Sequence, residues 1–230
     1  MVPSGPEIEA MAQPDASTLS AAPDKPGNPV ARTVRGLRKR GWLGSARVLF
    51  VLAVVASLVA WSQPTLAWVL AGAPLVALGE AFRAWAAGHL VKSRELAISG
   101  PYRHVQNPLY FGRLCIMTGF ALMAWMPVSW GGRIIPLNSV ALALMLLLFF
   151  GYYIPRKRRV EGERLQRLHG SAYAEWARAV PLIIPALRPW GQNARPWTAQ
   201  RFHDNSEGWM VAFVIGVTAA FTLKALGFPG

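Results

Sequence analysis

The sequence predicts an all-α integral membrane protein, a helical bundle of about five transmembrane helices with a cytosolic amphipathic helix. Three observations carry this fold class. Apolar residues make up 53% of the 230 and charged residues only 15%, with a mean hydropathy of +0.29. The apolar residues come in blocks of about 19–25 rather than in periodic stripes. Each block is long enough to cross ~30 Å of hydrocarbon at about 1.5 Å per residue. Finally, 22 of the 24 Lys and Arg fall in 25–47, 83–113 and 156–201, and only Arg133 and Lys224 fall elsewhere. That alternation matches a chain whose basic loops stay on the cytoplasmic side.

Taken in order, residues 1–31 hold six prolines among Ser, Ala, Gly and acidic residues. With no apolar periodicity, they are expected to form a disordered tail. The acidic start and the lack of a prompt apolar run argue against a signal peptide. Residues 32–43 are a basic juxtamembrane segment with Arg32, Arg35, Arg38, Lys39 and Arg40. Because this run abuts a span, it reads as an orientation signal. Nucleic-acid binding is the weaker alternative. The net charge of +13 is read the same way, as basic loops facing anionic lipid headgroups and not nucleic acid.

The membrane domain occupies 44–230, with spans expected at about 44–62, 66–90, 109–128, 134–154 and 208–227. Gln63-Pro64-Thr65 makes a tight turn between the first two. The Lys and Arg bias places the N-terminus in the cytoplasm, and the odd number of spans agrees by putting the C-terminus on the opposite side, in a bacterial-type inner membrane. Between spans four and five, Leu165, Leu168, Ala172, Tyr173, Trp176 and Val180 recur at three- and four-residue steps. They give an amphipathic helix over about 158–180, which either lies on the membrane surface or caps a pocket. Residues 187–206 read as a loop. The single cysteine, Cys115, sits in an apolar run and reads as a small buried residue.

Soluble-enzyme motifs are missing. The sequence holds no Gly-x-Gly-x-x-Gly, phosphate loop, His-Glu-x-x-His or Gly-x-Ser-x-Gly, and its four histidines lack metal-ligand spacing, so no metal site is expected. Glu80 is the one acid inside a span, and Arg83 lies three residues on, where it can pair with it. Ala84, Ala87 and Gly88 make the same helix thin. Close packing is the simpler meaning, and room for a ligand the alternative.

The stretch 94–112 is polar and broken by Gly100-Pro101 and Pro108, which cannot continue a helix. It carries Tyr102, Arg103, His104, Gln106 and Asn107, a set of hydrogen-bonding side chains able to build a polar pocket at a membrane face. A solvated connector is the plain alternative.

Gly100-Pro101-Tyr102, Asn107-Pro108, Tyr110 and Gly112 together resemble the signature of the isoprenylcysteine carboxyl methyltransferase and phospholipid methyltransferase family. A second landmark, Glu161-Gly162-Glu163-Arg164-Leu165 with Gly170 and Tyr173, is similar to that family's C-terminal motif. The likeness covers roughly 66–186. Where the family carries Arg-His before its proline, this chain has Gln106-Asn107. Its second glutamate is replaced by Gly162 and its phenylalanine by His169.

The resemblance implies an S-adenosylmethionine-dependent integral membrane enzyme acting on a lipid or lipid-like substrate. By the same resemblance, Arg94, Glu95, Leu96, Ala97, Tyr102, Asn107, Pro108, Leu109, Tyr110 and Glu161 would contact the cofactor. Lys157 and Arg158 would contact the substrate. Glu163 and His104 are candidates for proton transfer if the acceptor is an amine. Two other classes stay open: a non-catalytic membrane scaffold of the same fold, and an NADPH-dependent membrane reductase, for which the chain is short.

Overall fold

The computed structural model describes residues 42–91, 96–192 and 195–228. The expected tail and most of the basic segment lie outside the described residues. The chain divides into two compact units at Leu52. In the first unit the described residues, 42–52, are helical turns, and the second unit holds everything after.

The fold is helical, as the sequence predicts. In chain order the elements are α1 (Trp42–Trp61), α2 (Leu66–His89), a 3₁₀ turn (Gly100–Arg103), α3 (Pro108–Met123), β1 (Pro127–Trp130), β2 (Arg133–Pro136), α4 (Leu137–Leu148), a π turn (Phe149–Tyr153), α5 (Ile154–Ala179), α6 (Ala199–Asp204) and α7 (Glu207–Ala225). Among the described residues, three helical stretches are long and apolar enough to cross a membrane: Leu66–His89, Leu137–Ala179 and Glu207–Ala225.

The turn after α1 is tight, as Gln63-Pro64-Thr65 suggests. Gln63 N donates to Trp125 O at 2.6 Å, and the Thr65 hydroxyl accepts from Trp68 N at the start of α2. The core between α2, α3 and α7 is built from Val69, Val76, Ile116, Phe120, Met123, Val214, Val217 and Phe221.

Helices α2 and α3 approach through paired glycines. A Cβ added at Gly72 would overlap the Gly119 carbonyl, and one at Gly79 would overlap the Gly112 carbonyl. Glycines seven residues apart on each helix line one face and let the backbones touch.

Two boundaries differ from expectation. Span three was expected over 109–128, but α3 ends at Met123, and its 16 residues reach only about 24 Å. Pro127 cannot continue a helix. The Asn138 amide donates to Ala121 O at 3.1 Å, and its Oδ1 accepts from Met126 N, so the released backbone is satisfied. A β-hairpin follows, turned by Gly131 and Gly132, both at positive φ (56° and 75°) as a two-residue hairpin turn requires. Span four therefore begins at Leu137 and not at 134.

The second difference is continuity. The amphipathic helix does not start as a separate element, because α4 runs through the π turn into α5 without interruption as far as the bend at Gly170. At ~1.5 Å per residue that run far exceeds a ~30 Å bilayer, so α5 projects out of it.

The expected Glu80–Arg83 pair is replaced. The Arg83 guanidinium bonds instead to Glu207 at 2.5 Å, from the first turn of α7, and both residues are buried. Among the described residues the Glu80 carboxylate has no hydrogen-bond partner. A distant carboxylate at a helix start won because Arg83 faces the α3 and α7 side, with its stem against Gly112.

Candidate active site

The last turns of α2 leave carbonyls that need donors, and chain far away in sequence supplies them. Trp197 Nε1 donates to Ala84 O at 3.0 Å, the Asn205 amide to Ala87 O and Leu90 O, and Thr198 N to Gly88 O. The thin face Ala84, Ala87, Gly88 thus means close packing: the Trp197 indole fills the space where a side chain at Gly88 would go. The chain then turns at Gly100. Its φ of 58° favours glycine, and the His89 ring occupies the position of a Cβ there.

The 3₁₀ turn buries Tyr102, whose carbonyl accepts from Trp176 Nε1 at 2.9 Å. Burial first, and then the Glu161 charge, push the Tyr102 phenol above its ordinary range, so it stays protonated. Residues 103–107 are tied to a strap formed by 181–191. Gln106 N donates to Pro181 O at 2.8 Å, the Asn107 amide to Leu182 O at 3.1 Å, Ala186 N to His104 O at 2.8 Å, and Trp190 N to Arg103 O at 2.9 Å. The Gln106 amide reaches Ala177 O and Val180 O as well. The loop is therefore held along its length and is not a free connector.

Helix α5 closes the other side. Lys157 and Glu161, one turn apart, pair at 2.6 Å, and the Lys157 ammonium sits 3.5 Å from the centre of the Tyr110 ring. At Gly170 the backbone leaves helical geometry (φ 52°, ψ −127°), and α5 bends there. The short arm beyond the bend carries Tyr173 and Trp176 back toward the loop.

These elements enclose a cavity of about 360 Å³, within the range of ~300–1,000 Å³ usual for small-molecule sites. Leu96, Ala97, Tyr102, Asn107, Pro108, Leu109, Tyr110, Lys157, Arg158 and Glu161 all line it. Arg94 and Glu95 lie outside the described residues.

The structure does not bring the two proton-transfer candidates there. His104 is bound through Nδ1 to Ala186 O at 2.8 Å, and its ring lies against Trp85. Glu163 is exposed and borders an adjoining, more open depression that shares Ile154, Arg158 and Leu182 with the cavity wall. Two residues beyond Glu161 on a helix point to another side.

The sequence reading missed several lining residues. Leu165, Leu168, Tyr173 and Trp176 were visible only as an apolar helix face. Leu182 follows Pro181 with no signal of its own, and Leu90 and Val91 read as the end of a span.

Residues 68–172 match the family model described as phospholipid methyltransferase. This stretch is similar to the phospholipid methyltransferase family. No curated protein and no solved structure matched the chain. The phospholipid methyltransferase match takes in most of α2, the loop, α3, α4 and α5 as far as Ala172, so the first landmark and the second as far as Gly170 fall within it, with Tyr173 just beyond. The strap and the α6–α7 segment that hold the loop lie beyond it.

Proposed function

We propose that the cavity binds S-adenosylmethionine and that the protein transfers its methyl group to a lipid or lipid-like acceptor at the cytosolic face of the membrane. The observation that supports this reading is the convergence of two distant motif segments, 102–110 and 157–161, on one cavity. The donor set suits the ligand. S-adenosylmethionine carries a positive sulfonium and an ammonium beside an apolar adenine, and among the described residues Glu161 is the only acidic one lining the cavity, together with Leu96, Leu109, Leu165 and Trp176.

When bound, S-adenosylmethionine supplies a methyl group on a positively charged sulfur, open to in-line displacement. The protein's part is then positioning and exclusion of water. Glu161 accepts charge-assisted hydrogen bonds from an ammonium or a ribose hydroxyl. Tyr102, held neutral, offers a buried hydroxyl. Asn107 keeps the loop in place through Leu182 and shapes the wall. Lys157 and Arg158 face the acceptor's anionic group. Lysine supplies the charge without the two-pronged geometry of arginine.

An ionised carboxylate or thiolate needs no base, whereas an amine must lose a proton. With Glu163 and His104 away from the cavity, the reading favours an acceptor that arrives ionised. The basic loops support a reading with the cavity and the N-terminus in the cytoplasm and the C-terminus opposite.

The test is calorimetry of the detergent-purified protein against S-adenosylmethionine and NADPH, followed by radiolabelled methyl transfer to total membrane lipids. Donor binding and a labelled lipid support the reading. Absence of donor binding in detergent and in lipid removes it in favour of the scaffold, and NADPH binding would favour a reductase.

A further inference from the structure

The strap 181–191 has two sides. One side is spent on the site, through the bonds to Arg103, His104, Gln106 and Asn107 described above. Arg103 adds Nε to Trp190 O at 2.9 Å and a second bond from its guanidinium to Gly191 O. The other side is apolar and exposed. Ile184 is 74% exposed and Leu187 is 98% exposed. Pro181, Pro185 and Pro189 recur every fourth residue, each fixing its own φ, so the strap gives up little conformational freedom when it docks.

Its depth is set by Ile183, which is buried against Phe149 and Ile154 at the end of the long membrane helix, with Leu114 and Leu182 beside them. The same end of the bundle carries exposed aromatic rings: Trp85, Tyr152, Tyr153 and Trp209. Such rings mark the level where hydrocarbon meets headgroups. Arg188 adjoins Leu187, and Arg178 closes the helix before the strap; both are exposed.

We propose that this strap is an interfacial anchor, with Ile184 and Leu187 seated in the headgroup–acyl boundary of an anionic leaflet and Arg188 on its phosphates. An apolar tip flanked by basic residues matches that surface in both shape and charge. Because the opposite side of the strap holds the loop, the anchor ties the cavity wall to the lipid surface from which an acceptor would come. This assignment does not depend on which donor or acceptor the cavity takes.

The test uses the full chain in nanodiscs, with Cys115→Ala and either Leu187→Cys or Ile184→Cys, labelled with an environment-sensitive fluorophore. Blue-shifted emission that is quenched by headgroup-level nitroxide lipids supports the anchor. The shift should be greater in phosphatidylglycerol than in phosphatidylcholine discs, and Arg188→Glu should abolish that difference. Water-like emission at both positions overturns the proposal. So does a blue shift without nitroxide quenching, which would mean that protein, such as a second copy of the chain, covers the tip.

Discussion

Lys157 and Glu161 form an ion pair of 2.6 Å inside the cavity, with the lysine at 16% and the glutamate at 49% side-chain exposure. A partly exposed pair contributes only about 0.2–1 kcal/mol, so a ligand can displace either partner. A cationic ligand and Lys157 compete for the same carboxylate. Substituting Lys157→Met is therefore expected to tighten S-adenosylmethionine binding while lowering turnover. Calorimetry set against methyl-transfer rates separates the two effects. Weaker donor binding in this variant would contradict the shared use of Glu161.

Glu161→Gln is expected to weaken donor binding by about 1.5–3 kcal/mol, the range for a hydrogen bond to a charged group. Glu163→Gln should leave it unchanged, because Glu163 does not line the cavity. The comparison needs only two titrations at one temperature. Equal losses would place the donor elsewhere.

Gly170→Ala tests the bend in α5. A residue with a Cβ at φ 52° and ψ −127° costs on the order of 1–3 kcal/mol. Space is not the obstacle, since nothing lies within 4 Å of the added carbon. The expected result is a lower unfolding midpoint together with weaker donor binding, as Tyr173 and Trp176 shift from the wall.

The Arg83–Glu207 pair gives an asymmetric prediction. Arg83→Met leaves both Glu207 and the unpartnered Glu80 buried without a cation, and should cost roughly 3–5 kcal/mol, as for a broken buried pair. Glu207→Gln should cost less, because Glu80 remains to balance the arginine. Denaturation in mild detergent measures both, and a larger loss from Glu207→Gln would count against this charge arrangement.

Gly119→Ala should destabilise by about 1–3 kcal/mol through overpacking, because the added carbon would meet Val76 and the Gly72 carbonyl. Gly216→Ala, with nothing within 4 Å, is the control and should not lower the unfolding midpoint.

The helical membrane class was legible because block length and charge placement are properties of composition along the chain. The loop 96–110 was legible because Gly100, Pro101 and Pro108 forbid a helix and leave polar residues between them. The cavity wall contributed by Leu182 was not, since it depends on an amide of Asn107 meeting a carbonyl that no local pattern marks. Arg83 was assigned to its helical neighbour Glu80 by spacing alone. Spacing says which side chains can meet within a helix but not which distant helix start offers a better partner. The continuity of α4 with α5 was missed because the composition changes from apolar to basic at Arg156 while the backbone stays helical there.

The bonds at the end of α2 carry a consequence for the order of assembly. The donors for Ala84, Ala87, Gly88 and Leu90 come from Trp197, Thr198 and Asn205, more than a hundred residues later. While the chain is being made, α2 reaches the membrane with that end unsealed, and it stays so until residue 205 has left the ribosome. The pocket is thus a late product of synthesis. A chain interrupted before the strap would insert its early spans without completing the cavity wall, so on the proposed function a nascent protein should not bind methyl donor until the strap and residues 197–205 are in place.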